Sequence, residues 1–209
     1  MPVSTCIFKE QTIEYITKYI NTESNIIDIG AGAGTYYNRL YPLGYKNIDA
    51  VEVFEEYILK FNLKDKYNNV FYQNVISLDI DLKKYQLAIF GDIIEHMSYV
   101  DAITTLSKFN NDCEDVIVGV PFNAEQEAEF DNQYEIHIQY DLSNEKFLSL
   151  YRDFDIYCLR YDYGIYIKNN AKNSEVPIYI LDATEEDKDF LTNYSDRPIV
   201  DMNLLHIQE

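Results

Sequence analysis

The segment Asn25-Ile26-Ile27-Asp28-Ile29-Gly30-Ala31-Gly32-Ala33-Gly34 constrains this chain more than any other. Its first half is a short apolar run rich in β-branched residues, the pattern of a strand buried on both faces. Its second half carries glycine at alternate positions. Glycine accepts positive φ and has no Cβ, so the backbone there can turn sharply and let a ligand come close. A buried strand feeding such a turn, and then Thr35-Tyr36-Tyr37-Asn38-Arg39-Leu40, predicts the first βα corner of a nucleotide-binding α/β sheet. The dinucleotide fingerprint G-x-G-x-x-G needs its third glycine one residue later, where this chain has Thr35. That register disfavours an NAD-dependent oxidoreductase.

The rest of the chain alternates in the way such a sheet requires. Ile13, Ile16 and Ile20 fall at helical spacing ahead of the glycine segment. Residues 48–53 read as the second strand, with Glu52 at its end and Val53 beside it. Glu52 lies 20 residues beyond Gly32, the distance at which an acid meets the ribose hydroxyls of a bound nucleotide. Residues 55–63 read as a helix and 70–75 as the third strand and its exit, where Asn74 and Val75 stand. Residues 85–92 are a nearly continuous apolar run ending at Gly91-Asp92, the fourth strand. A helix over 97–109 and a fifth strand over 115–121 follow. Ligands in open α/β sheets bind beyond the carboxyl ends of the strands, so Asp92-Ile93-Ile94-Glu95-His96 is placed over the pocket.

The long polar segment 122–140 contains His137 and is of the length that is usually functional inside a domain. After it come a helix capped by Asp141 or Ser143, a closing β-hairpin near 154–167, an edge strand near 176–181 that Pro177 confines, and a helix over 184–194. The expected division is one domain over 1–170 and an extension over 171–209 that packs on it or on a dimer partner.

Composition narrows the partners. Asp and Glu number 36 against 17 Lys and Arg, a net charge of −19. Nucleic-acid binders show a basic footprint, so no nucleic acid is expected. Cys6, Cys113 and Cys158 are odd in number and far apart, unlike a disulfide framework or a zinc knuckle. No apolar run is long enough to span a bilayer, and Met1-Pro2-Val3-Ser4-Thr5 has no basic start. The expectation is a soluble cytoplasmic protein with no membrane partner.

The form D-x-G-x-G-x-G, from Asp28 to Gly34, resembles motif I of the class I S-adenosylmethionine-dependent methyltransferases. The resemblance covers roughly residues 25–147. It implies a Rossmann-like α/β fold, with a mostly parallel central sheet flanked by helices and an antiparallel closing hairpin. It also implies an S-adenosylmethionine site built from Asp28, Gly30, Ala31, Gly32, Glu52, Val53, Asn74, Val75 and Gly91. The family often has Asp where this chain has Asn74.

Asp92, Glu95 and His96 are spaced i, i+3, i+4, which on a helical turn puts them on one face. His137 can reach them from the loop after the fifth strand. Two carboxylates and two imidazoles make a divalent-metal set for Mg²⁺ or Mn²⁺. Asp-x-x-Glu-His with a later His resembles metal-dependent O-methyltransferases that act on vicinal oxygens, with Asp92 in place of their first Glu. The resulting expectation is an O-methyltransferase for a hydroxyl of a vicinal diol, on a sugar or glycan, with Asp92, Glu95, His96 and His137 as metal ligands and catalytic groups. The alternatives are a metal-free small-molecule enzyme with a His base, and a non-catalytic cofactor-binding protein.

Overall fold

The computed structural model of the chain describes residues 6–128 and 131–207. The segment Met1 to Thr5 lies outside them. The helix α1 (Lys9–Tyr19) leads into β1 (Ile26–Ile29), whose four residues are all buried. Then follow α2 (Thr35–Leu40), β2 (Ile48–Glu52), α3 (Glu55–Lys60), α4 (Leu63–Lys66), β3 (Val70–Tyr72) and β4 (Leu87–Gly91). The helix expected over 55–63 is thus two short pieces. Asn62 between them takes a left-handed φ of 51° and breaks the run. Next come α5 (Tyr99–Asp112), β5 (Asp115–Pro121), α6 (Asn144–Leu150), β6 (Phe154–Arg160) and β7 (Tyr163–Lys168). Helix α5 starts where Ser98 Oγ accepts the Asp101 N–H, and α6 starts where Ser143 Oγ accepts that of Lys146, both ordinary N-caps.

The strands form one sheet of order β3-β2-β1-β4-β5-β7-β6, continued by β8 (Ile178–Ile180) and β9 (Ile199–Asp201). Only β7 runs antiparallel to its neighbours. Between β8 and β9 lies α7 (Glu185–Tyr194), opened by a capping box between Thr184 and Asp187. β8 is not the edge strand that Pro177 suggested; it sits between β6 and β9. Pro177 precedes the strand's first residue, so no ladder N–H is lost.

Strand alternation sends successive side chains to opposite faces, and a core lies on each. Ile27 and Ile29 join Leu106 and Phe109 of α5, Phe147 of α6 and Leu191 of α7. Ile26 and Ile48 join Ile16 of α1, Tyr36 and Leu40 of α2, Ile58 of α3 and Leu63 of α4. The order reverses direction at β1 and β4, which pair in parallel from Ile26–Leu87 to Ile29–Phe90. The crevice beyond their carboxyl ends is where such sheets bind ligands. Among the described residues no helix is long and apolar enough to cross a membrane.

Candidate active site

The crevice holds a cavity of about 540 Å³. Its floor is the glycine turn. Gly30 has φ of +66°, and a Cβ there would lie 1.9 Å from Ile93 Cδ1. Any other residue would have to displace the Ile93 side chain and adopt a positive φ that L residues rarely take. The turn is held from behind: Gly30 N and Ala31 N both donate to the Val51 carbonyl, at 2.8 and 3.2 Å. Glu52, 5% exposed, closes it from the side. Its Oε2 accepts the Gly32 N–H and its Oε1 the Phe54 N–H, each at 2.9 Å. Burial pushes the Glu52 carboxyl pKa up, against the backbone N–H groups of Phe54, Gly32 and Val53 that favour the ionised form.

Gly30, Ala31, Gly32, Glu52, Val53 and Gly91 all line the cavity. A smaller cavity of about 90 Å³ shares Gly30, Val53, Ile93, His96 and Tyr134 with it and adds Asn74 and Val75. Asn74 is partly committed, since its Oδ1 caps the turn after β3 by accepting the Ile76 N–H.

Asp28 corrects the sequence reading: it lines neither cavity. Alternation along β1 sends it behind the turn, where it is 2% exposed and accepts the Tyr67 hydroxyl at 2.6 Å. Burial raises its pKa to about 7, although the Tyr67 hydrogen bond and the Lys9 charge oppose the shift. Lys9 is itself 1% exposed and donates to the Tyr36 hydroxyl at 2.9 Å.

The acidic and imidazole groups stand across the crevice. Glu95, His96 and His137 each offer a ligand atom within 4.8 Å of the others. Asp92 is outside this group, a second correction. Residues 94–96 form a 3-10 turn, and Asp92 precedes it in a left-handed conformation with φ of 59°. The shared helical face assumed for Asp92, Glu95 and His96 therefore does not exist. Asp92 still lines the cavity, and its Oδ1 accepts the Tyr163 hydroxyl at 2.5 Å.

Glu95 is 1% exposed, and neither carboxylate oxygen has a hydrogen-bond partner. Burial, and then the nearby Asp92, push its pKa well up. The two histidine rings meet edge to face at 4.8 Å. His96 Nδ1 lies 3.1 Å from the Ile136 carbonyl and His137 Nδ1 2.8 Å from that of Ala124. A carbonyl only accepts, so each Nδ1 carries a proton, and in the neutral ring the lone pair is on Nε2. Burial lowers the His96 pKa, and the neighbouring His137 adds to it. The loop itself is pinned by Ile138 N and Gln139 N, which donate to the Glu95 carbonyl at 2.8 and 2.9 Å.

A buried carboxyl and two imidazoles held through Nδ1 could hold a metal ion. Three donors of this kind leave coordination positions open and suit a first-row divalent ion such as Mn²⁺ better than Mg²⁺.

Sequence reasoning missed Tyr163. Its hydroxyl lies 2.6 Å from where a Cβ on Gly119 would be. A lone glycine inside the apolar fifth strand signals such a close approach.

No family model matches the sequence, and no curated protein sequence matches it. Solved structures do match. An S-adenosylmethionine-dependent methyltransferase from Clostridium acetobutylicum ATCC 824 gives a TM-score of 0.58 at 13% identity, over 76% of this chain and 88% of that one. The magnesium protoporphyrin IX methyltransferase from Synechocystis PCC 6803, crystallised with bound S-adenosylmethionine, gives 0.54 at 14% identity, over 77% of each chain. The methyltransferase domain of the bacterial CtHen1-CN protein gives 0.56 at 14% identity, over 77% of this chain and 96% of that one. The fold is that of the class I methyltransferases. At these identities the likeness is one of fold.

Proposed function

We propose that the chain is an S-adenosylmethionine-dependent O-methyltransferase. It acts on a hydroxyl of a vicinal diol on a sugar or glycan, with a divalent ion held by Glu95, His96 and His137. The observation that carries this reading is the buried Glu95 carboxyl, without a hydrogen-bond partner and with its Oε1 3.9 Å from His96 Nε2, in a group with His137.

The glycine turn, Glu52, Val53 and Gly91 hold the cofactor in this reading, and Val53, Asn74, Val75 and Tyr134 line the place for its base. The cofactor supplies a methyl group already activated on a sulfonium, so the protein's share is alignment and a proton acceptor. A divalent ion held by Glu95, His96 and His137 would supply Lewis acidity, which lowers the pKa of a hydroxyl. Among the cavity-lining residues the His96 and His137 imidazoles are the candidate proton acceptors. Asp92, tied to Tyr163, shapes the floor between the two halves.

One observation favours a second reading. Burial keeps His96 below its usual pKa, so it is neutral at pH 7 and can serve as a general base without a metal. Metal analysis of the purified protein, with methyl gain on candidate diols followed by mass spectrometry, separates the two. About one bound ion per chain, activity lost in EDTA and restored by Mn²⁺ supports the metal reading. Full activity in excess EDTA supports the second.

A further inference from the structure

We propose that the acceptor is a cationic diol, an amine-bearing polyol, and that Glu125 reads its charge. This rests on the proposed function and adds the charge class of the acceptor.

The larger cavity is lined by Glu52, Asp92, Glu95, Glu125, Glu135 and Asp162, and among the described residues by no Lys or Arg. Four of these carboxylates are occupied within the fold. Glu52 holds the glycine turn, and Asp92 accepts from Tyr163. Asp162 is paired with Arg160 through two contacts of 2.5 and 2.6 Å. Glu135 accepts from Tyr57 at 2.9 Å and from Gln126 at 3.1 Å. Lys9, the buried cation nearby, stays behind the turn on Tyr36 and does not line the cavity. That the cavity takes a ligand at all is marked independently by Glu95, 1% exposed, lining it, with both oxygens unpartnered.

Glu125 differs from the rest. It is exposed and yet lines the cavity, so it stands at the rim. Its two neighbours hold His137: the Ala124 carbonyl faces Nδ1 and the Gln126 carbonyl accepts the His137 N–H at 3.1 Å. Its backbone is thereby held beside the imidazole, and its exposed side chain lines the cavity at the rim on that side. An ammonium on a polyol whose diol meets Glu95, His96 and His137 would find it there. A phosphate or uronate reaching the rim beyond the metal and the sulfonium would meet Glu125 and no Lys or Arg. The net charge of −19 extends the same field beyond the rim and draws cations toward the cleft.

The test uses the full chain loaded with Mn²⁺ and S-adenosylhomocysteine. Three matched sugars are titrated by ligand-observed NMR: methyl glucoside, its 2-amino-2-deoxy analogue and methyl glucuronide. The amino sugar is expected to bind about tenfold more tightly than the glucoside, with the glucuronide weakest, and 0.5 M salt should collapse the differences. Glu125→Gln should weaken the amino sugar about three- to fivefold and leave the glucoside as it was. Glucuronide binding as well as the amino sugar, or an amino-sugar preference untouched by Glu125→Gln, would overturn the proposal. If none of the three binds while S-adenosylhomocysteine does, the sugar acceptor of the proposed function fails instead. The charge order is then read with dopamine against 3,4-dihydroxyphenylacetate: dopamine binding more tightly supports the proposal, and the reverse overturns it.

Discussion

The two halves of the crevice are built on opposite principles. On the cofactor side the chain satisfies itself. Gly30 N and Ala31 N are bonded to Val51, and both Glu52 oxygens are bonded to backbone N–H groups. On the acceptor side the frame is equally well bonded, through Ile138, Gln139 and the two Nδ1 atoms. The groups inside that frame are not: Glu95 has no hydrogen-bond partner for either oxygen, and its Oε1 lies 3.9 Å from His96 Nε2. Native proteins rarely leave buried polar atoms unpaired without a use. In the proposed reading the first half is a preformed surface that a ligand borrows, and the second is a polar site that a ligand completes.

The largest effect should come from breaking the unfinished half. Glu95→Gln is expected to remove bound metal and lower methyl transfer at least about 100-fold, the upper scale for disturbing the support of a metal site. Affinity for S-adenosylhomocysteine should stay within about twofold. The stability of the metal-free protein should change by less than about 1 kcal/mol, because Gln leaves a polar group in the same buried position without partners. Metal content and thermal unfolding of the apo form check both. A fully active, metal-loaded Glu95→Gln protein would erase the contrast.

Next is the preformed half. Glu52→Ala removes the acceptor for two backbone N–H groups and should weaken S-adenosylhomocysteine binding by about 1.5–3 kcal/mol, the scale of hydrogen bonds to a charged group. Metal content should not change. Unaltered cofactor affinity in a folded variant would take Glu52 out of the cofactor site.

A smaller effect lies behind the turn. Asp28 has a folded pKa near 7 against an ordinary value of 3.8. The folded state thus binds more protons than the unfolded one between about pH 4 and pH 7. Its contribution to stability is fullest below that window, falls as pH rises through it by at most about 1.4 kcal/mol per pH unit, and levels off above. Asp28→Asn should flatten this slope in denaturant unfolding measured across that range. A slope unchanged by the substitution would show that Asp28 is not the group responsible.

The smallest effect is expected at the join of the two halves. Tyr163→Phe removes one hydrogen bond to Asp92 and should cost about 0.5–1.5 kcal/mol of stability. Gly119→Ala, which puts a Cβ within 2.6 Å of that hydroxyl, should cost more than the lost bond alone. An ordering opposite to this would show that the slot is not tight.

The contrast also explains what could be read from sequence. The first five strands carry apolar runs or glycine punctuation, and the hairpin carries alternation, so the sheet was legible. Glu52 was legible as a site candidate because its spacing from the glycine turn is a local constraint. Asp92 was misplaced because the spacing argument assumed α-helical geometry, and one left-handed residue followed by a 3-10 turn cancels it. Asp28 lies behind the cavities and not on them, because a motif names residues without saying which face of the strand they take. Tyr163 escaped notice because it reaches the site from a hairpin 71 positions beyond Asp92. β9 has three residues, too few for periodicity to register.

The account depends first on the crevice being a cofactor site of the adenosylmethionine type. Titration calorimetry of the full chain with S-adenosylhomocysteine, and separately with NAD, tests this most directly. The account predicts one S-adenosylhomocysteine bound per chain and no heat from NAD. NAD binding, or the absence of S-adenosylhomocysteine binding by a folded protein, would contradict it.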